Sequence, residues 1–357
     1  MEREYKVTPY QLYAILFLAK VVTMLTYSNK FSHSKSIWDY TISSICLFIL
    51  SFILIAPTYF MYKKFPNVNI FEGKLGRFYK IAYGLYFVFV ACYFLGMFKL
   101  FIVNVMTPYI PVFLLSLFTF LLAIYAANKG LHAIARTTVI ILFVIIISLI
   151  FVYSSLFYKI DTDKFFPLFE HKSDTFLGVL YLFSRGFGLS VFPIIIPFIK
   201  GSFDSFKKTF LSWNLSTCFL TIFTVTLAVG ALGDFLKTQD FPIYWSTKVA
   251  ELGVFKRLDA IYIGVFVSGI FILISFFFYL FKFVCSNFYM KISRRAIFIL
   301  GVMVVLIFGI ILSDSENFNY FLYNTNILIA LNILTSFLMP LIYFLKELYK
   351  SKKEAQK

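Results

Sequence analysis

Leu182-Phe183-Ser184-Arg185-Gly186-Phe187-Gly188-Leu189-Ser190, followed by Val191-Phe192-Pro193, lies inside an apolar run from about Phe176 to Ile199. The run is long enough to cross a bilayer, whose hydrocarbon core needs about 20 apolar residues. A continuous membrane helix has no use for an arginine, two glycines and a proline near its middle. The arginine costs ~2.5–3.5 kcal/mol on insertion scales. The glycines weaken the helix and permit backbone shapes that other residues resist. Pro193 removes a donor and clashes with the preceding turn. The stretch therefore predicts a helix that breaks at membrane depth. Such a break is tolerated only where it is buried in protein or lines a cavity. In transporters, broken helices of this kind form the substrate site.

The composition agrees with a membrane setting. The 357 residues are 61% hydrophobic and 14% charged, with a mean hydropathy of +0.86. A soluble domain is about half apolar and about a quarter charged. The net charge of +16 is therefore read as a topology signal, not as a nucleic-acid footprint. Cys46, Cys92, Cys218 and Cys285 lie in or beside apolar runs without CxxC spacing, and read as free thiols. His33, His132 and His171 are scattered in expected loops. No metal site and no cofactor are implied. No nucleophile–base constellation, Walker motif or dinucleotide loop is legible, so the chain does not read as an enzyme.

Working outward from the break, apolar runs define ten expected spans, at about 9–27, 36–62, 78–103, 109–127, 135–157, 176–199, 209–235, 259–283, 296–312 and 320–345. Thr8 is the expected N-cap of the first, with Pro9 at its first position. A basic tail, 351–357, follows the last. With the N-terminus inside, 21 of the 33 Lys and Arg fall in inside segments, nine fall outside, and Lys20, Lys99 and Arg185 lie within spans. Both termini are then expected in the cytoplasm. In the long outer loop, Tyr244 to Leu252 is either a short helix on the outer face or a solvated loop. The expected fold is an all-α integral membrane protein of about ten helices in a single domain. The break in the sixth span suggests a LeuT-like five-plus-five inverted repeat, in which the first and sixth helices correspond.

That symmetry directs attention to the first span, where Lys20 sits eleven residues after Pro9. An intramembrane lysine points to function by default. Three roles are open: substituting for a bound cation, binding a carboxylate, or carrying a proton. The structural alternative is a snorkelling or paired lysine. Arg185 carries the same duality, either clamping a ligand carboxylate through its fork or, structurally, pairing with an acid or capping half-helix carbonyls. Gly186 and Gly188 serve the break or, alternatively, close helix packing. The candidate ligand-binding set is Lys20, Thr23, Ser184, Arg185, Gly186, Phe187, Gly188 and Ser268. Thr23 shares a helical face with Lys20. Tyr83, Tyr86, Tyr93, Asn104 and Gly269 are softer candidates, more simply read as packing. No acid lies mid-span. Two cations without an acid at that depth favour an anionic group on the ligand, and Lys20 and Arg185 are expected to share its cavity.

Several blocks together resemble the permease-like B subunits of spore germinant receptors, the GerAB family within the amino acid–polyamine–organocation transporters. They are Val7-Thr8-Pro9-Tyr10-Gln11-Leu12; Lys64-Phe65-Pro66-Asn67 with Ile70-Phe71-Glu72; Ala135-Arg136; Gly186-Phe187-Gly188 with Pro197-Phe198-Ile199-Lys200; and Phe241-Pro242 with Leu252-Gly253-Val254-Phe255-Lys256-Arg257-Leu258-Asp259-Ala260, leading to Gly269 and Ser275. The resemblance implies a ten-helix fold in the inner membrane of an endospore former. It implies recognition of a small nutrient, usually an amino acid, by a subunit that works with a larger membrane subunit and a lipoprotein. A proton-coupled amino acid permease is the alternative. The chain departs from the family pattern at Leu189, where an acidic residue often stands, and in its first span, which has Lys20 and no glycine.

Overall fold

The computed structural model describes residues 7–26, 39–66, 70–105, 111–165, 172–199, 203–239, 241–251, 258–287, 293–311 and 316–355. Apart from one isolated parallel bridge between Val7 and Ile199, their regular structure is helical. The helices are α1 (Pro9–Leu25), α2 (Asp39–Lys64), α3 (Gly73–Val105), α4 (Val112–Lys129), α5 (Leu131–Phe157), α6 (Lys172–Ser184), α7 (Phe187–Ile195), α8 (Phe203–Leu232), α9 (Pro242–Val249), α10 (Asp259–Ser286), α11 (Arg294–Leu306), α12 (Glu316–Leu322), α13 (Thr325–Ile333) and α14 (Met339–Ala355). Short 3-10 turns follow α7 and α8, and π-helical segments follow α11 (Ile307–Ile311) and α13 (Leu334–Leu338).

Among the described residues, seven helices are long and apolar enough to cross a membrane: α2, α3, α4, α5, α8, α10 and the run Asn319–Lys353 through α12, α13 and α14. The pair α6 and α7 passes the same test as one span bent by 41°. Two shorter apolar helices, α1 and Arg295–Ile311, complete the apolar set. The protein is thus an all-α, multi-pass membrane protein.

Local chemistry explains the ends of α1. Thr8 accepts from the Gln11 amide at 3.3 Å, and the Gln11 side chain accepts from the Thr8 amide at 2.9 Å. This reciprocal box satisfies two amides the helix leaves orphaned, and Pro9 needs no partner at the first position. Helix α1 is buried on nearly every side, as expected of an element apolar all round. Helices α4 and α5 instead display Leu121, Leu122, Ile140, Phe143 and Ile150 outward, a belt suited to lipid. Gly130 joins them at φ 98°, a conformation costly for any residue with a Cβ.

The outer-loop alternative resolves to a helix. Within α9, Ile243, Tyr244, Ser246 and Thr247 are buried. Tyr244 packs on Phe101 and Tyr262, with ring centroids 6.0 and 5.5 Å apart. Residues 252–257, part of the resemblance, lie outside the described residues. The run expected as a single tenth span is also more complex than its hydropathy. It turns at Tyr323-Asn324 and passes through a π segment at Leu334–Leu338.

Candidate functional site

The predicted break falls at Arg185-Gly186, between α6 and α7. A helix end leaves carbonyls without intrahelical partners, and at membrane depth no water replaces them. Here a side chain from α13 takes that role. The Asn332 amide donates to Phe183 O at 3.0 Å and to Ser184 O at 2.9 Å. Its own oxygen accepts from the Tyr86 hydroxyl at 2.8 Å and from Ser190 Oγ at 3.4 Å. Thr335 donates to Ser190 Oγ at 2.7 Å, and Tyr83 donates to Thr335 O at 2.6 Å. Asn332, Ser190 and Thr335 are buried. The network ties α3, the two half-helices and α13 into one polar centre. Neither Asn332 nor Thr335 was among the residues singled out from sequence. The signal was there: an amide and two hydroxyls, Asn332-x-x-Thr335-Ser336, inside an apolar run.

Arg185 lies beside this centre and is 5% exposed. Its guanidinium donates to Ser184 Oγ, to Thr325 Oγ1 at 3.3 Å and to Tyr323 O at 3.2 Å. It stacks on Tyr181, 4.0 Å from the ring centroid. The carbonyl-capping role weighed for Arg185 is therefore present in this conformation. It caps the end of α12 across the bundle, not its own half-helix, and so joins the break in the sixth span to the turn between α12 and α13.

Tyr93 on α3 completes the surround. Its ring packs edge-on against Phe187 at 5.1 Å and Tyr323 at 5.4 Å. Its hydroxyl is buried beside Arg185 and Thr26. Helix α7 begins here, and its first turn has no side-chain cap. Its amide end favours negative charge.

The remaining candidates separate. Ser184, Arg185, Gly186 and Phe187 converge at the break. Gly186 accepts from the Leu189 amide at 3.1 Å and donates to Phe183 O at 2.8 Å. Gly188 lies inside α7, where a Cβ would come within 2.7 Å of Trp213. Of the two readings weighed for it, close packing is the one the geometry displays. Thr23 is buried and donates to Lys20 O at 2.9 Å. It lies one turn below Thr26, which neighbours the Tyr93 hydroxyl. Ser268 donates back to Gly264 O at 2.7 Å within α10. Neighbouring Gly269 is the residue that meets α1, with a built Cβ 2.5 Å from Val22. Lys20 is half-buried, with Cys218 of α8 in its electrostatic surroundings.

A family profile described as "Spore germination protein" matches residues 6–318. Comparison with curated proteins returns no match. The match covers the elements that build the break but not the residues Tyr323, Thr325, Asn332 and Thr335 that support it. The chain belongs to the spore germination protein family, a permease-like family of membrane proteins.

Proposed function

We propose that the protein is the nutrient-sensing subunit of a spore germinant receptor. It binds a small nutrient carrying a carboxylate, most simply an amino acid, at the break between α6 and α7. The observation that carries this reading is the buried Arg185 guanidinium at the helix break, with the Tyr93 hydroxyl beside it. Arg185, the amide end of α7 and Tyr93 supply a fork, a dipole and a hydroxyl around one point. Ser184, Gly186, Phe187 and Thr23 form its surroundings.

The same contacts supply a signal. A carboxylate entering beside Arg185 competes with Tyr323 O and Thr325 for the guanidinium. Charge-assisted bonds to a carboxylate are the stronger ones, so the ligand favours a state in which the α12–α13 turn is released. That difference in affinity between two states is what a ligand needs to shift a population. A larger membrane subunit and a lipoprotein would read the shift at the inner spore membrane.

In this reading the apolar helices form ten spans in a five-plus-five inverted repeat, with both termini cytoplasmic. The Val7 amide donating to Phe198 O at 2.9 Å supports it, since it ties the start of the first span to the end of the sixth. A permease is the second reading, favoured by the broken span itself.

A thermal-shift screen of the purified protein against amino acids, nucleosides and sugars tests the proposal, because a ligand that binds the folded state stabilises it. An amino acid hit is expected. Stabilisation confined to nucleosides or sugars would reject the carboxylate site. Uptake of the labelled hit into proteoliposomes under a pH gradient would establish the permease reading.

A further inference from the structure

The turn between α12 and α13 puts one residue of the chain itself against Arg185. Tyr323 lies outside both helices, after Leu322 ends α12 and before Thr325 opens α13. Helix α13 is capped by Asn324, whose side chain accepts from the Asn326 and Ile327 amides at 2.9 and 3.3 Å, so its first turn is held without Tyr323. Tyr323 is nevertheless only 1% exposed. Its carbonyl accepts from the Arg185 guanidinium at 3.2 Å. Its ring packs edge-on against Tyr93, with centroids 5.4 Å apart.

The far end of that ring is fitted to α3. A Cβ built on Gly96 would lie 2.6 Å from the Tyr323 hydroxyl oxygen and 3.1 Å from Leu322 Cδ2. The first distance is closed to a real Cβ, so glycine at 96 is what leaves room for a ring of this length. Gly96 and Tyr93 stand three residues apart, on one face of α3. Phe187, the first residue of α7, packs edge-on against the same Tyr93 ring at 5.1 Å. Tyr93 and Gly96 thus bound a buried slot that starts at Arg185 and is as deep as one tyrosine side chain.

Connectivity names the ligand. In Tyr323 the atoms run from the carbonyl on Arg185 through Cα and Cβ to the ring in the slot. In a free aromatic amino acid they run from the carboxylate through Cα and Cβ to the ring, over the same bonds. We propose that Tyr323 is a built-in stand-in for the nutrient, and that the nutrient is an aromatic α-amino acid that displaces Tyr323 from both Arg185 and the slot. The inference rests on the reading of Arg185 as the carboxylate group's partner. A carboxylate outcompetes the neutral carbonyl because charge-assisted hydrogen bonds are the stronger ones. Ring replaces ring, so the edge-on contact with Tyr93 is exchanged and not lost. A small amino acid that displaces Tyr323 leaves the slot unfilled, and unfilled space in a packed interior is costly. The nutrient binds only the fraction of molecules in which Tyr323 is out, and its apparent affinity is lowered by that fraction.

Isothermal titration of the full-length protein in dodecylmaltoside micelles tests this, with L-phenylalanine, L-alanine and phenethylamine as probes. Wild type is expected to bind L-phenylalanine at least about tenfold tighter than L-alanine. Tyr323→Ala removes the stand-in and is expected to tighten L-phenylalanine at least about tenfold further. Tyr323→Leu, which keeps more bulk against collapse of the site, is expected to move in the same direction. Tyr323→Phe keeps the ring and is expected to bind like wild type. Gly96→Val closes the slot and is expected to abolish the preference for L-phenylalanine over L-alanine. Unchanged or weaker L-phenylalanine binding in both Tyr323→Ala and Tyr323→Leu overturns the proposal, because a merely structural tyrosine gives that result. So does wild type binding L-alanine as tightly as L-phenylalanine. Phenethylamine binding as tightly as L-phenylalanine removes the carboxylate reading itself, and the proposal with it. Carboxylate-dependent binding that does not respond to Tyr323 removes the stand-in alone.

Discussion

Asn332 is the side chain on which the break depends most. Replacing it with leucine keeps the bulk and removes the amide. Phe183 O and Ser184 O lose donors at 3.0 and 2.9 Å, and the Tyr86 hydroxyl loses its acceptor at 2.8 Å. Phe183 O keeps the Gly186 amide at 2.8 Å, so its loss is partial. Ser184 O and Tyr86 carry most of the cost. A buried polar group left unsatisfied costs ~1–3 kcal/mol, whereas hydrogen bonds inside membrane bundles average ~0.6 kcal/mol by double-mutant cycles. Two strongly affected groups and one weakly affected group place Asn332→Leu at about 2–4 kcal/mol of destabilisation on these scales. Asn332→Asp should be at least as harmful, because it puts a third oxygen against two carbonyls. Reversible unfolding in mixed micelles of dodecylmaltoside and SDS measures the difference, with Asn326→Leu as a control for handling. A value for Asn332→Leu within about 0.5 kcal/mol of wild type, the scatter of an ordinary surface substitution, would refute the claim that this amide holds the break.

Other substitutions probe the packing around it. Gly188→Val drives a side chain into Trp213 and should cost ~1–3 kcal/mol as overpacking, read as a lower unfolding midpoint, while Gly264→Ala, which meets nothing within 4 Å, should be neutral. Gly269→Val places atoms into Val22 of α1 and should separate α1 from α10, seen as faster thiol labelling of buried Cys285. Lys99 donates to Ile310 O at 2.5 Å where the π segment after α11 ends, and Lys99→Met should destabilise by ~1–3 kcal/mol in the same micelle titration.

How much of this was legible in the sequence follows from what each feature depends on. The break was legible because an arginine, glycines and a proline in one apolar run contradict a straight helix by local chemistry alone. The α1 cap was legible for the same reason, in Thr8, Pro9 and Gln11. The partners of the break were not. Asn332 reaches Phe183 and Ser184 across nearly 150 residues, and nothing local links them. Gly188 looked like part of the break because spacing does not show Trp213 standing over it. The neighbours of Lys20 were not legible for a related reason. Helix α1 is buried almost all round, so its pattern of apolar residues does not show which neighbour each side chain meets.

The central claim is that Arg185 holds the carboxylate of the nutrient. Binding of the best amino acid from the thermal-shift screen, and of the matching amine without its carboxylate, should be measured by isothermal titration on wild type and Arg185→Gln. The account predicts at least a tenfold loss on removing the carboxylate in wild type, about 1.4 kcal/mol, and little or no loss in Arg185→Gln. The same loss in both proteins would contradict it, because the carboxylate would then be held elsewhere.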